Sequence, residues 1–350
     1  MLVDSLPKQS AEPQSAPASR KRHGLRAAGL LLSAGILVMV CVASIATGAK
    51  SMPLSDVWHG LFHDSGAGND VIVHDVRVPR TLLGLIVGAA LGLAGAVMQA
   101  LTRNPLAEPG LLGVNAGASA AVVSAISFFG VTSLTGYVWF AFLGAGVVSA
   151  LVYILGGSRG ATPVRLALAG TAVSAALFGY INAVQLLDAA SLDRLRFWTV
   201  GSLASADMET IGKVAPFIGI GVVLALLLAR PLNAMEMGDD TARALGAHLH
   251  RTRVLSMLAV TLLCGSATAA CGPIIFIGLM IPHLVRAITG PDMRWILPYA
   301  TVLSPVLLLG ADVVGRVVTR PAELQVGIVT ALIGGPVFIH LVRRKKMAQL

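Results

Sequence analysis

The stretch Arg80-Thr-Leu-Leu-Gly-Leu-Ile-Val-Gly-Ala-Ala-Leu-Gly-Leu-Ala-Gly-Ala-Val-Met-Gln-Ala-Leu101 decides the fold. After Arg80 it carries no ionisable side chain, and about 20 such residues wound as a helix cross a bilayer. Gly84, Gly88 and Gly92 recur every fourth position, followed by Gly95 and Gln99. That spacing puts small residues on one helical face, where a neighbouring backbone can approach closely. The residues predict a helix at the centre of a membrane bundle, with Gly88 and Gly92 in structural roles.

The rest of the chain has the same character. Of 350 residues, 55% are hydrophobic and 12% are charged, against roughly 25% charged in a soluble domain. Such a chain cannot cover a water-facing surface. The net charge is +9, but the basic residues are scattered through short segments between apolar runs, so no nucleic-acid-binding face is expected. Cys41, Cys264 and Cys271 lie in or beside apolar runs without metal-ligand spacing, and read as small buried hydrophobes.

Hydropathy predicts an all-α membrane protein of about ten spans: 27–49, 80–101, 112–130, 137–156, 164–187, 211–229, 254–271, 274–289, 296–316 and 325–342. The eighth is short and interrupted by Pro282. Residues 1–26, rich in Pro, Ser, Ala and Gln, read as a disordered tail ahead of a membrane domain over 27–346. An even span count puts both termini on one side. Eighteen of the 26 Lys and Arg residues fall on that side, so the positive-inside rule makes it cytoplasmic. A weak internal repeat relates Arg80–Gly113 to Arg253–Gly290. The two begin on opposite sides, which is the pattern of an inverted transporter repeat.

Several short runs between spans carry more specific expectations. Asn104-Pro105-Leu-Ala-Glu-Pro109-Gly breaks the chain after the second span and reads as a fixed turn. The longest segment on the N-terminal side, 230–253, contains Asp239, Asp240, Arg243, Ala244, Leu245, Gly246 and Leu249. Either aspartate can cap a short helix, and Leu245 and Leu249 at i, i+4 give it an apolar knob that a partner's groove can take. A helix lying in the lipid interface is the competing reading. On the far side, Arg77, Arg80, Arg316 and Arg320 form a set of guanidiniums suited to carboxylates of another protein; anionic lipid is the alternative. Asn182, Gln185 and Asp188, a turn apart, are candidates for a polar path. Asp312 is an intramembrane acid, a functional candidate by default, with Arg316 one turn on as an ion-pair partner. His59 and His63 stand i, i+4 but have no third ligand at telling spacing, so no metal site is expected. There is no G-x-x-x-x-G-K-[ST] phosphate loop. ATP-driven work would need another chain.

The ordered motifs Arg77-x-Pro-Arg80, Arg103-Asn-Pro-Leu-Ala-Glu-Pro-Gly-Leu-Leu-Gly113, Trp198-x2-Gly201-Ser-Leu, Ala244-Leu-Gly246, Gly272-Pro-Ile-x-Phe-Ile-Gly-Leu279 with Pro282-His283, and Glu323-Leu-x-Val-Gly-Ile-x-Thr330 resemble the FecCD-type permeases over about residues 50–345. These are membrane subunits of ABC importers for iron-siderophores, haem and cobalamin. The resemblance implies a type II ABC importer permease fold, paired with a second copy or a related permease. It implies two ATPase subunits, which bind ATP and Mg, docked near 239–253, and an extracytoplasmic substrate-binding protein whose acidic residues meet arginines placed like Arg77, Arg80 and Arg316. It leaves no cofactor and no catalysis to this chain. An ion-coupled secondary transporter using Asp312 is the alternative from a different class.

Overall fold

The computed structural model describes residues 17–63, 68–131, 133–157, 163–188 and 198–347. Among them there is no strand. Helices α1 (Pro17–Ala46), α2 (Leu54–Phe62) and α3 (Gly68–Val71) lead into α4 (Val78–Thr102). Then come α5 (Val114–Phe129), α6 (Leu134–Leu155), α7 (Pro163–Leu187) and α8 (Met208–Leu227). Two short helices, α9 (Ala229–Glu236) and α10 (Asp239–Ala244), precede α11 (Leu249–Cys271), α12 (Ile277–Thr289), α13 (Met293–Val318) and α14 (Val326–Met347). Seven of the helices are long and apolar enough to cross a membrane, and α5, α12 and part of α14 are shorter apolar helices. Together they match the ten predicted spans. The first begins earlier than expected: residues 17–26, read as tail, continue α1 as helix.

The two most buried spans are α4 and α11. The glycine face of α4 meets α13, where a Cβ at Gly88 would stand 2.6 Å from the Pro305 Cα. Further along, Gly95 abuts the Gly278 backbone of α12 so closely that a Cβ there would overlap the carbonyl. Only a residue without a side chain allows this approach. By contrast α1 and α7 leave most of their surface outside the chain, as lipid-facing or partner-facing helices do.

Proline shapes the path without stopping it. Ahead of α4 the chain winds as a π-helix over Ile72–Arg77, closed by Val78 N–H to the Val73 carbonyl. Pro79 has no N–H to offer the Asp75 carbonyl and crowds it, and the wider turn accommodates that. Pro282 lies inside a continuous α12 rather than interrupting it. The Gly278 carbonyl it leaves unpaired receives Gln99 Nε2 at 3.4 Å, and the same amide reaches the Leu279 carbonyl at 3.0 Å. A neighbouring helix thus re-satisfies the freed backbone group, as a bilayer interior demands.

Candidate functional site

Two breaks in the helices face each other. After α4, Arg103 adopts a left-handed conformation at φ 50°, and Asn104 closes an Asx turn by accepting the Leu106 N–H at 3.0 Å. A 3-10 turn over Pro109–Leu112 then starts α5. Opposite lies the break at 272–276 between α11 and α12, where the half-buried Glu108 accepts the Phe276 N–H at 3.1 Å. The Gly201 turn braces the same break, with Ser202 N–H donating to the Cys271 carbonyl and Gly327 N–H to the Gly201 carbonyl. The motifs around Asn104, Pro105, Pro109, Gly201 and Gly272 therefore meet in one structural unit.

At the end of the bundle holding Arg103, the chain displays α10. Its cap is Gly238, at φ 104°, and no side chain caps it; the expectation that Asp239 or Asp240 does so is corrected. Asp239 is instead clamped. One carboxylate oxygen takes Arg103 Nη2 and the other takes Arg253 Nη2, each at 2.7 Å. The clamp ties α10 to the C-terminus of α4 and the start of α11. Asp240 is exposed and pairs with Arg243 one turn on. The helix ends in a Schellman motif: Ala247 N–H reaches the Ala242 carbonyl and Gly246 N–H the Arg243 carbonyl, with Gly246 at φ 80°. That turn separates the two leucines expected on one face. Leu245 is 65% exposed, while Leu249 opens α11 and is buried. Ala244, beside Leu245, is also exposed.

Neighbouring pairs brace this end. Glu236 bridges Arg286 at 2.8 Å. Asn233 donates to Asp292 and accepts the Met293 N–H, joining α9 to the start of α13. Burial alone would raise the Asp292 carboxyl, but hydrogen bonds from Arg294 and Asn233 outweigh it and hold the group at about 2.

The opposite end departs from expectation. Arg77, Arg80 and Arg316 are buried, not displayed. Arg80 grips Asp312 with Nη2 at 2.8 Å and Glu323 with Nη1 at 2.7 Å. Arg316 also bridges Asp312, at 3.0 Å, and donates to the Ser44 and Thr47 carbonyls. Arg77 donates to the carbonyls of Ile45, Ala46 and Lys50. Two guanidiniums thus satisfy the carbonyls at the C-terminus of α1, where the helix dipole favours positive charge. This is why the docking set predicted from sequence is not assembled on the surface. Of its four members, Arg320 is exposed. No local pattern around Ser44 announces the capping, because its partners lie more than 30 and 270 residues away.

The candidate path residues lie along α7. Asn182 is exposed and Gln185 half-buried, while Asp188 accepts from Ser127 Oγ at 3.1 Å. Lower on the same helix, Thr171 and Ser174 share a cavity of about 380 Å³ with Asn115, whose Oδ1 accepts from Thr268 at 2.9 Å. Cys264 and Cys271 are buried in α11. His59 stacks on His63 and approaches Asp70. Among the described residues no cluster could hold a metal ion.

Known proteins resemble this chain in sequence and fold. The chain is 49% identical to the ferric enterobactin transport system permease protein FepD of Escherichia coli, over 91% of this chain and 94% of that protein. It is 39% identical to the probable siderophore transport system permease protein YfiZ of Bacillus subtilis, over 88% and 93%. A solved inward-facing structure assigned to the metal-chelate type of ABC transporter superposes with a TM-score of 0.79 at 30% identity, covering 90% of this chain and 98% of its own. With residues 36–344 matching the family model, this membrane permease belongs to the FecCD transport family.

Proposed function

We propose that this chain is the membrane-spanning permease of an ATP-driven importer that carries iron(III)-siderophores across the cytoplasmic membrane. The observation that carries the mechanism is the Arg103–Asp239–Arg253 clamp. It ties a short exposed helix to the ends of α4 and α11, the two most buried spans. A force applied to α10 from outside the bilayer is transmitted to the centre of the bundle through that clamp. The excess of basic residues at this end supports a cytoplasmic orientation for it and for both termini. Of two separate ATPase subunits, one would grip the α10 of each permease, with Leu245 seated in its groove. The siderophore specificity is supported by the identity to a ferric enterobactin permease.

The path would run along the outward face of α7 between two permeases, identical or related, past Asn182, Gln185 and the Asn115–Thr268 pair. An extracytoplasmic binding protein would deliver the chelate at the Arg320 end. Uptake of iron-labelled siderophore by cells carrying Leu245→Glu or Arg243→Ala measures the α10 role. Uptake should collapse in the first and fall in the second while the protein remains in the membrane. Undiminished uptake in both would overturn the mechanism.

A further inference from the structure

We propose that the recess beside α10 is a binding site for an anionic glycerophospholipid. A cavity of about 620 Å³ opens between the end of α8, the start of α9 and the first turns of α11, within the roughly 300–1,000 Å³ of small-molecule sites. Its apolar wall is built by Leu224, Leu228 and Leu255, and its basic side by Arg230, His248 and Arg251. No carboxylate is among its lining residues.

The state of the two arginines carries the inference. Arg103, Arg243, Arg253, Arg286 and Arg294, at the same end of the molecule, each hold an aspartate or glutamate. Arg230 and Arg251 are exposed and make no ion pair with any described residue. Two unpaired guanidiniums converge on one recess whose wall continues into the apolar surface of α8, where Leu227 is 71% exposed. A phosphate diester matches the forked donors of arginine. Attached acyl chains match the leucines. Basic pockets between membrane helices at the cytoplasmic surface bind anionic headgroups on this principle. A soluble anion would satisfy the charge and leave the apolar wall uncovered.

Leu245 and Gly246, from the turn that ends α10, line the same cavity. A lipid seated there buttresses that helix. This consequence rests on the proposed role of α10, whereas the binding site itself does not.

The test uses the assembled transporter, permease with its partner subunits, exposed to mixtures of phosphatidylglycerol and phosphatidylcholine. Native mass spectrometry then counts the lipid retained on the permease. Phosphatidylglycerol should be retained selectively. The pair Arg230→Gln with Arg251→Gln should lower that retention roughly 30-fold, while Arg343→Gln, an exposed arginine elsewhere, leaves it unchanged. Arg230→Lys with Arg251→Lys keeps the charge and should restore much of the binding, which separates loss of the site from loss of the fold. Equal retention of both lipids, or retention indifferent to the Gln pair, overturns the proposal. So does a photo-crosslinker at Leu255 that captures an ATPase subunit instead of lipid.

Discussion

Asp312 has no exposed surface and holds two guanidiniums. The local i, i+4 spacing to Arg316 was legible in the sequence; the grip of Arg80, 232 positions away, was not. Removing one member of a buried ionic group leaves the others charged and unpaired, at a cost of about 3–5 kcal/mol. Asp312→Asn should therefore lower the melting temperature of the purified permease markedly. An unchanged melting curve would rule out the shared-carboxylate arrangement. Asp292 behaves differently because it is half-buried at the rim of the bundle and its carboxyl is depressed to about 2 from an ordinary 3.8. The sign follows from linkage: its stabilisation is complete above the unfolded value and disappears as pH falls through about 2. The difference in unfolding temperature between wild type and Asp292→Asn should be constant above pH 5 and shrink only below about pH 4. A difference that instead changed near neutrality would contradict this account.

At the scale of elements, α10 shows how a segment can be placed correctly and wired differently from expectation. Its position within 230–253 follows from the Gly238 and Gly246 boundaries and the two leading aspartates. Local sequence also suggests an aspartate cap and a Leu245–Leu249 face. Tertiary contacts decide the first, because Arg103 and Arg253 hold Asp239, and the local Gly246 turn decides the second by reversing the chain between the two leucines. The clamp residues are part-exposed, so each pair contributes under about 1 kcal/mol to stability. Asp239→Asn should accordingly melt almost like wild type. If the clamp transmits motion, siderophore uptake should fall ~2- to 30-fold, the range of measured coupling energies between sites. A large stability loss with proportional uptake loss would make the clamp merely structural.

For the whole molecule, orientation is the decisive property, since the proposed mechanism requires α10 to face the cytoplasm. Leu245→Cys in a Cys41→Ser background offers one exposed thiol, because Cys264 and Cys271 are buried. A membrane-impermeant maleimide should label it in inside-out vesicles and not in intact cells. Labelling from the cell exterior would invert the topology and remove the proposed mechanism with it.

The sequence by itself determined the bundle. Composition forbids a water-covered surface, uncharged runs set the span positions, and the glycine spacing of α4 marks the helix at the centre. These are local properties, fixed by length, period and hydropathy. Only the tertiary structure decided where the ionic groups go. Arginines that look like surface donors turn inward to the end of α1, Gln99 fills the carbonyl freed by Pro282, and Asp239 joins three helix ends. In the water-free bilayer interior each buried polar group takes the nearest partner in space, as Asp239 also does at the bundle's wet end, and nearness across hundreds of residues is not written in any local pattern.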